Sequence, residues 1–337
     1  MIEIKKDKFF RAIYINKKNI TKFETKIKKL SIKEIFDKKC ALIKVSYSSI
    51  NYKDILLLNG NPGLVRKFPH IPGIDAAGKI IYSPSKKFKK GDRVVILGRP
   101  LGVSRWGGFS EYVSVPIKWI DKLPKNLSQK NSMIFGTAGF TAILIVLEIL
   151  KAKANKDANP ILITGGTTGV GIIISLILKK LGFRLVVTSR NKKKTQKLKK
   201  LGFNKVLNSE NLNKENILHL DKAEYSIVVD NIGGSTIQNQ LKKLENKGNY
   251  YVVGNIAGNN TKLNLMPLIL RGVNIVGVNA EQSTSKERKK IIKFMSQYSN
   301  IKNINKIFNE VRFLKLVNKK TIFKKYKLFG RTIIKMI

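Results

Sequence analysis

The stretch from Pro160 to Gly182 reads PILITGGTTGVGIIISLILKKLG, and it decides the fold. An apolar run typical of a buried strand comes first, a turn of Gly and Thr follows, and a long apolar run begins directly after the turn. A turn of this kind presents backbone N–H groups and a helix N-terminus to a phosphate. The order of strand, turn and helix therefore predicts nucleotide binding; the alternative is an unrelated Gly-rich turn in another α/β protein.

The glycine pattern of this turn is incomplete. Aligned with Gly-x-Gly-x-x-Gly, the three positions are Gly166, Thr168 and Gly171, so a threonine replaces the middle glycine. The strand–turn–helix context still meets the requirement of the fingerprint. The residues predicted to bind the cofactor here are Gly166, Thr167, Thr168, Gly169, Val170 and Gly171.

The residues after the next strand indicate which cofactor binds. The apolar run Leu185–Thr188 leads into Ser189, Arg190 and Asn191, with lysines following and no carboxylate. NAD-binding proteins place Asp or Glu here to accept hydrogen bonds from the ribose, whereas a hydroxyl and a guanidinium suit a 2′-phosphate. The sequence predicts NADPH as the cofactor; the alternative is that these cations belong to a solvated lysine run.

The charge of the chain is extreme. With 66 Lys and Arg against 21 Asp and Glu, the net charge is +45. Lysine outnumbers arginine and is spread along the whole chain, whereas nucleic-acid binders concentrate charge on one face and interleave aromatic residues. We interpret the charge as compositional drift and predict no specific nucleic-acid partner, although a selected polyanion-binding surface is the alternative.

Composition also limits the location and the metal chemistry. One cysteine, Cys40, excludes an internal disulfide and any cysteine-rich zinc lobe, and it suits a reducing cytoplasm. The N-terminus lacks the apolar core of a signal peptide. The longest apolar stretch, residues 134–147, is too short to span a membrane and reads as a buried helix. We therefore expect a soluble cytoplasmic protein with no metal and no membrane partner.

The chain changes its pattern near residue 127. Short alternating segments dominate before that point and indicate a β-rich domain, whereas apolar strands alternate with helices after it and indicate a doubly wound parallel sheet. The predicted fold class is α/β. The predicted domains are residues 1–127 completed by 301–337, and residues 128–300, because the tail 328–336 is strand-like and is expected to rejoin the first domain.

Several motifs, in order along nearly the whole chain, carry a family resemblance. The most specific segments read GTAGFTA from Gly136 to Ala142 and MPLILRGV from Met266 to Val273. Together the motifs resemble the zinc-free branch of the medium-chain dehydrogenase/reductase superfamily, and within it the NADPH-dependent acrylyl-CoA reductases, also called quinone-oxidoreductase-like proteins. The other motifs are NYKD at 51–54, PGIDAAG at 72–78, GDRV at 91–94, WGGFSEY at 106–112, DNIGG at 230–234 and GRT at 330–332.

The resemblance implies a GroES-like substrate domain, a Rossmann NADP-binding domain and an active site in the cleft between them. In zinc-dependent relatives a histidine follows the glycine that corresponds to Gly73, but here Ile74 follows, so the metal ligand is missing. Tyr52 is expected against the cofactor and is the candidate catalytic residue. The other implied cofactor-binding residues are Thr141 in the GTAGFTA motif, Lys205 near the 2′-phosphate, and Gly254 with Asn255 near the nicotinamide.

The function implied is reduction of the activated C=C bond of an enoyl thioester by NADPH, with acrylyl-CoA as the best single substrate. Two alternatives stay open: an NADPH quinone or enone oxidoreductase, and a binding protein that keeps NADPH without catalysis. The apolar runs 265–270 and 273–278 suggest a sheet edge that pairs across a two-fold axis, so we expect a homodimer. Departures from the family pattern at Thr168, Asn279 and Tyr326 leave the detailed geometry of the site undefined.

Overall fold

The computed structural model describes residues 7–19, 23–59, 65, 67–213, 219–316 and 329–336. Tyr326 lies outside the described residues. The chain divides into two compact units. The first comprises Met1–Phe140, Ala280–Asn300 and Phe308–Ile337, and the second comprises Thr141–Asn279 and Ile301–Ile307.

The second unit is built on one parallel sheet of six strands in the order β10-β9-β8-β11-β12-β13. Numbered from its first strand, this order is 3-2-1-4-5-6, the order of a Rossmann fold, which confirms the doubly wound sheet. Its strands are β8 (Ile161–Ile163), β9 (Leu185–Ser189), β10 (Lys205–Asn208), β11 (Tyr225–Asp230), β12 (Leu244–Val252) and β13 (Asn274–Gly277). Its helices are α3 (Gly169–Lys180), α4 (Lys192–Lys200), α5 (Thr236–Leu241) and α6 (Met266–Arg271).

The first unit holds a larger, mostly antiparallel sheet in the order β14-β15-β3-β4-β5-β7, with β6 paired to β3. A separate hairpin pairs β1 with β2. The strands are β1 (Phe9–Lys17), β2 (Phe23–Ser31), β3 (Ala41–Ile50), β4 (Ala76–Tyr82), β5 (Arg93–Ile96), β6 (Tyr112–Val115), β7 (Asp121–Lys122), β14 (Phe308–Arg312) and β15 (Arg331–Lys335). The helices are α1 (Tyr52–Leu58), α2 (Gln129–Lys151), which continues into the second unit, and α7 (Ser285–Gln297).

The C-terminal tail rejoins the first unit, as the sequence predicts. Residues Thr332–Lys335 of β15 pair with β3 in antiparallel register, and Ile333 and Ile334 are completely buried. An alternating apolar segment far from its partner in sequence thereby completes the first sheet.

Helix α2 is broken at Gly136. The backbone of Gly136 has φ +56°, and a Cβ there would lie 2.5 Å from Asp75 Oδ2. Because glycine alone accepts this conformation and this approach, the residue lets the helix restart at Thr137.

Among the described residues, α2 is the one helix long and apolar enough to cross a membrane. In its most apolar window, 67% of the helix is buried, as in a core helix.

The boundaries of the two units differ from the predicted domain boundaries before and after the nucleotide-binding segment of the sequence. Residues 128–140 and 280–300 belong to the first unit rather than to the nucleotide-binding one, and 301–307 belong to the second. Side-chain contacts explain the first two assignments. Asp75 binds the N–H of Thr137, while Arg288 on α7 is buried against Asp121 and donates to the carbonyl of Leu97.

Candidate functional site

The glycine turn lies between β8 and α3 and has no room for side chains at two of its positions. A Cβ at Gly166 would lie 1.9 Å from the Val187 side chain, and one at Gly171 would lie 2.3 Å from the carbonyl oxygen of Gly165. Gly165 itself has φ +57°, in the left-handed region that favours glycine. The three glycines therefore allow the turn to pass close to β9 and the helix to begin close to the strand.

Thr168, which replaces the middle glycine of the fingerprint, is the N-cap of α3. Its backbone is extended, and its Oγ1 accepts a hydrogen bond from the N–H of Gly171 at 3.1 Å. Threonine is a favoured N-cap residue, so the departure strengthens the helix start. The first N–H groups of a helix have no intrahelical partner, so those of Gly169 and Val170 are the donors open to a phosphate. Thr167, in the same turn, is partly buried.

The end of β9 continues into a second helix start. Ser189 is buried at the last position of the strand, and Asn191 caps α4 by accepting from the N–H of Lys194 at 3.0 Å. Arg190 lies between them and is exposed. The glycine turn and this segment follow neighbouring parallel strands, so they lie at the same edge of the sheet, where ligands bind in doubly wound folds.

The start of α4 has an unusual charge. Its first turn contains three lysines and no carboxylate, although the positive end of a helix dipole favours anions. Burial lowers the pKa of Lys194, and the positive charges of Arg190 and Lys197 lower it further. Arg190, Lys194 and Lys197 repel one another near the start of this helix. A phosphate bound there would offset the repulsion and stabilise the charged form of Lys194.

Lys205 lies elsewhere. It is the first residue of β10 and is opposite Val186, whereas Asn208 is opposite Ser189. Three residues of strand correspond to about 10 Å, so Lys205 is at the amino end of the sheet, not at the edge that holds Ser189. The register therefore separates Lys205 from the other proposed phosphate-binding residues.

Asp230, at the end of β11, organises the loop beyond it. Its carboxylate accepts hydrogen bonds from the Thr164 hydroxyl, from the N–H groups of Ile232 and Gly233, and from the Tyr250 hydroxyl at 2.9 Å. This set of contacts indicates a structural role for Asp230. The carboxylate fixes the loop that follows β11 relative to β8 and β12.

Gly254 and Asn255 follow the neighbouring strand β12. The N–H of Gly254 donates to the carbonyl of Asp230 at 3.1 Å, and a Cβ on Gly254 would lie 2.3 Å from the carbonyl oxygen of Asn231. Asn255 is exposed and donates from Nδ2 to Asn259. Both predicted residues therefore lie at the edge of the sheet that also carries the glycine turn. Thr141, the first residue of the second unit, is partly buried within α2.

Tyr52 belongs to the first unit and begins α1. Asn51 caps this helix, and Asp54 accepts from the N–H of Asn51 at 2.9 Å and from those of Gly73 and Ile74 at 3.0 Å each. Burial raises the pKa of Asp54 to about 7, with a further contribution from the charge of Asp75. Asp54 thus connects the start of α1, where Tyr52 lies, with the Pro72–Gly78 motif.

Arg331 and Asp75 form a buried ion pair beside this helix start, with 3.5 Å between Nη2 and Oδ2. The carboxylate also accepts from Asn51 Nδ2 at 2.7 Å and from the N–H of Thr137 at 3.0 Å. The guanidinium donates to the carbonyls of Ile134 and Ile50 and to Asn51 Oδ1. Asp75 therefore caps the second half of α2, which begins at Thr137. Asn51, Asp75 and Arg331, which belong to three different motifs, meet in one network.

Known proteins resemble this chain over most of its length. YhfP of Bacillus subtilis, whose name describes it as a candidate quinone oxidoreductase, is 36% identical over 271 residues, covering 80% of this chain and 82% of that protein. The chain belongs to the zinc-free branch of the medium-chain dehydrogenase/reductase superfamily. The acrylyl-CoA reductase AcuI of Ruegeria pomeroyi is 32% identical over 272 residues, with coverage of 80% and 82%.

Solved structures and family models agree with this membership. Bacillus subtilis YhfP with NAD bound aligns with a TM-score of 0.92 at 34% identity, covering 98% of this chain and 100% of that one. Escherichia coli YhdH with bound NADPH aligns with a TM-score of 0.90 at 27% identity, covering 96% and 99%. The family model for the alcohol dehydrogenase GroES-like domain matches residues 37–125, and the model for zinc-binding dehydrogenase matches residues 169–297.

The name of the second model does not describe this branch. Within the described parts of the chain, no group of three or more His, Cys, Asp or Glu side chains is arranged to hold a metal. Ile74 occupies the position of a zinc-ligating histidine, and His70 is buried with its backbone paired to Ile15.

Sequence reasoning missed Lys194 as a candidate phosphate-binding residue. It is one of six lysines in α4, so composition does not distinguish it. What distinguishes it is geometry: it lies one residue beyond Lys193 in the first helical turn, is partly buried, and is close enough to Arg190 for that charge to affect its pKa. The capping pattern Asn191-x-x-Lys194 is the signal that could have identified it.

Proposed function

We propose that the protein is a cytoplasmic enzyme that uses NADPH to reduce the activated C=C bond of an enoyl thioester, with acrylyl-CoA converted to propanoyl-CoA as the best single reaction. The observation that carries the proposal is 32% identity to acrylyl-CoA reductase over four fifths of the chain. The structure supports it through a Rossmann unit whose glycine turn and β9 end suit a phosphorylated dinucleotide.

The residues at this edge fit NADPH better than NADH. Gly166 and Gly171 let the turn pack closely against β9 and the end of β8, and the N-terminus of α3 at Gly169 and Val170 would supply N–H donors for a pyrophosphate. The cations Arg190 and Lys194 would bind the 2′-phosphate, together with the Ser189 hydroxyl. YhdH binds NADPH and YhfP binds NAD in their solved structures, so the family accepts both cofactors and this chain's own residues make the choice.

The chemistry requires two groups that the cofactor does not provide. When bound, NADPH supplies the hydride that adds to the β-carbon of the thioester. The protein must then stabilise the negative charge that develops on the thioester oxygen and deliver a proton to the α-carbon. We assign Tyr52 as the donor, directly or through a water molecule, because it starts a helix that Asp54 fixes through three backbone hydrogen bonds.

The substrate is tested by comparing NADPH consumption with acrylyl-CoA, crotonyl-CoA and a benzoquinone under the same conditions. We expect the specificity constant, kcat/KM, to be highest for acrylyl-CoA. If the protein prefers a benzoquinone over both thioesters, the proposal is wrong and the protein is a quinone oxidoreductase, the alternative that the identity to YhfP favours. NADPH binding without turnover of any of the three would leave a non-catalytic binding protein.

The cofactor choice is tested at Arg190 and Lys194. Removing a charge-assisted contact to the 2′-phosphate costs about 1.5–3 kcal/mol, so Lys194→Ala and Arg190→Ala should each raise the dissociation constant of NADPH roughly tenfold or more and leave that of NADH unchanged. Lys193→Ala is the matched control, since Lys193 is an exposed neighbour in the same turn. Equal dissociation constants for NADPH and NADH in the unmodified protein would contradict the assignment.

We also propose that the protein is a homodimer paired through the edge of the second unit. Strand β13 ends the six-stranded sheet, and α6 packs against β12 beside it. Large apolar side chains are exposed on this part of the unit: Leu263, Leu265, Met266, Ile269, Leu270 and Ile275. An open apolar edge of this kind invites pairing, and two-fold symmetry would cover both copies at once.

The assembly is tested by light scattering at micromolar concentration. The unmodified protein should have twice the mass of one chain, and Ile269→Glu with Ile275→Glu should reduce it to one chain. Leu314→Glu, which changes an exposed apolar side chain in the first unit, is the control. A single-chain mass for the unmodified protein would refute the dimer without affecting the proposed reaction.

A further inference from the structure

The part of the chain that forms the nucleotide turn and its surroundings contains no carboxylate side chain. Between Asp157 and Glu210 there is no Asp or Glu, although this stretch includes β8, α3, β9, α4 and β10. Lysine and arginine recur through it, and α4 alone has six lysines among its nine residues. The strands and helices that would bind the adenosine end of the cofactor therefore carry positive charges and no negative side chain of their own.

The nearest carboxylates lie outside this part of the sheet edge. Asp157 precedes β8, so it is at the amino end of the sheet, opposite to the glycine turn. Glu210 follows β10 at the carboxyl end, where its Oε2 accepts from Asn208 Nδ2 at 3.2 Å. Asp230, at the end of β11, is completely buried and is held by four donors. Of these three carboxylates, only that of Glu210 is exposed at the carboxyl edge, and it follows the strand beyond β9.

The cations at the end of β9 are accessible and repel one another. Arg190 is exposed, and Lys194, in the first turn of α4, is partly buried. Burial lowers the pKa of Lys194, and the charges that lower it further, those of Arg190 and Lys197, are both positive. A phosphate bound beside Arg190 and Lys194 would offset this repulsion.

These cations do not restrict the phosphate to one oxygen of the ribose. The ammonium group of Lys194 is a point charge on a flexible four-carbon stem, so it follows a phosphate over a short distance. In NAD-binding proteins an Asp or Glu at this position accepts a hydrogen bond from the ribose, and it would repel a phosphate on either of the two neighbouring hydroxyl groups. Because this chain lacks that carboxylate, a phosphate on the 2′-oxygen and one on the 3′-oxygen both meet positive charge.

NADPH and coenzyme A share the chemical groups that this edge would bind. Both contain adenosine 5′-pyrophosphate and one further phosphate on the same ribose. That phosphate is on the 2′-oxygen in NADPH and on the neighbouring 3′-oxygen in coenzyme A. The two molecules differ beyond the pyrophosphate, where NADPH carries nicotinamide riboside and coenzyme A carries its pantetheine arm.

We propose that the nucleotide turn also binds the 3′-phosphoadenosine diphosphate end of coenzyme A, so that coenzyme A and its thioesters compete with NADPH. The pyrophosphate accepts from the N–H groups of Gly169 and Val170, and the 3′-phosphate pairs with Arg190 and Lys194. This binding mode rests on the proposed function, because it uses the cations assigned to the 2′-phosphate of NADPH. An excess of thioester then lowers the occupancy of the site by NADPH and slows the proposed reaction.

The test measures the dissociation constant of NADPH for the full chain, from nicotinamide fluorescence, at rising concentrations of coenzyme A. Dephospho-coenzyme A, which lacks only the 3′-phosphate, is the matched comparison. Ionic strength is held constant with KCl, because a net charge of +45 attracts any anion without specificity. We expect the apparent dissociation constant of NADPH to rise linearly with coenzyme A, and dephospho-coenzyme A to need a roughly tenfold higher concentration for the same rise.

Three results of this titration would overturn the proposal. A rise that reaches a plateau would mean that coenzyme A binds at a separate site while NADPH stays bound. Equal potency of coenzyme A and dephospho-coenzyme A would mean that the 3′-phosphate is not recognised. No rise at all would mean that coenzyme A does not enter the nucleotide site.

Variants connect the competition to the cations of α4. Lys194→Ala should remove most of the advantage of coenzyme A over dephospho-coenzyme A, whereas Lys194→Arg, which keeps the positive charge, should retain most of it. Lys193→Ala is the matched control and should retain the full advantage, since Lys193 is an exposed neighbour in the same turn. Each variant is first checked for an unchanged unfolding midpoint. If Lys193→Ala reduces the advantage as much as Lys194→Ala does, the 3′-phosphate is attracted by surface charge in general and the proposal is wrong.

A parallel titration with NADH separates this proposal from the cofactor assignment on which it rests. If NADPH binds more tightly than NADH but coenzyme A does not displace it, the competition is wrong and the proposed function is unaffected. Equal dissociation constants for NADPH and NADH would overturn both, since Arg190 and Lys194 would then not recognise a phosphate on the ribose.

Discussion

Asp75 in the first unit and Asp230 in the second are both completely buried carboxylates near ends of strands, but different groups stabilise them. Asp75 is paired with the buried guanidinium of Arg331 and accepts further hydrogen bonds from Ser49, Asn51 and Thr137. Asp230 is held by donors that are all neutral: two hydroxyl groups and two backbone N–H groups. One network therefore depends on a charge pair and the other on hydrogen bonds alone.

The difference follows from what each carboxylate connects. Asp75 joins elements that are far apart in sequence, namely the start of α1, the break in α2 and strand β15. Arg331, the first residue of β15, donates to the carbonyl of Ile50 just before α1 and to that of Ile134 just before the break in α2. Asp230 joins the ends of adjacent parallel strands and the loop that follows its own strand. Loss of a partner should therefore affect the first network much more than the second.

The largest effect is expected from Arg331→Met. Removal of one partner of a buried ion pair leaves an uncompensated charge and typically costs about 3–5 kcal/mol in the free energy of unfolding. The measurement is urea unfolding followed by tryptophan fluorescence, since both tryptophans, Trp106 and Trp119, lie in the first unit.

The control for this experiment is the surface pair Lys130–Glu310, with 2.7 Å between Nζ and Oε2 and both side chains partly exposed. Lys130→Met should cost less than about 1 kcal/mol, because an exposed ion pair contributes little. The double variant Asp75→Asn with Arg331→Met should recover part of the loss, since it removes both buried charges. Equal losses in the free energy of unfolding for Arg331→Met and Lys130→Met would show that the buried pair contributes no more to stability than the exposed pair.

The sequence predicts the elements that local pattern determines. Strand β8, helix α3 and strand β15 follow apolar runs bounded by turn residues, and all three form as expected. Strand β2 is not evident from its own sequence: FETKIKKLS contains three lysines, and the segment is a strand because it pairs with the apolar strand β1. Tertiary pairing overrides local propensity there.

The parts of the candidate site that depend on distant contacts were not predictable. The break at Gly136 arises because Asp75 and Arg331 approach its backbone, and both are far from it in sequence. The position of Lys205 depends on the register of β10 against β9, which the sequence alone leaves open. By contrast, the glycine turn and the Ser189–Asn191 segment are local features at strand ends, and they lie at the predicted edge.

The second prediction concerns Asp54, whose pKa burial raises to about 7. A raised pKa in the folded state means that folding favours the protonated form, so this contribution to stability is complete below the unfolded pKa near 3.8 and is lost as pH rises through 7. Relative to Asp54→Asn, the unmodified protein should lose on the order of 3 kcal/mol in the free energy of unfolding between pH 4 and pH 7.

The comparison with Asp54→Asn removes contributions from other titrating groups. His70 acts in the opposite direction, because burial lowers its pKa and protonation then destabilises the fold as pH falls. Both proteins contain this histidine, so the difference between them isolates Asp54. A difference that stays constant from pH 4 to pH 7, or that grows in favour of the unmodified protein, would show that the three backbone N–H groups outweigh burial and that Asp54 is ionised throughout.

The smallest effect is expected from Tyr250→Phe, which removes one of the four donors to Asp230. A single hydrogen bond contributes about 1 kcal/mol, somewhat more when its acceptor is charged, so the free energy of unfolding should fall by roughly 1–2 kcal/mol. Tyr251→Phe is the control, since Tyr251 is the next residue on β12 and its side chain points to the other face of the sheet. Unfolding is followed by far-ultraviolet circular dichroism, because the second unit contains no tryptophan. The remaining neutral donors can still share the charge of Asp230 after this change, whereas Asp75 has no second cation to replace Arg331 in the described network. A loss from Tyr250→Phe as large as that from Arg331→Met would mean that a set of neutral donors is as sensitive to one deletion as a buried ion pair, and the contrast between the two carboxylates would fail.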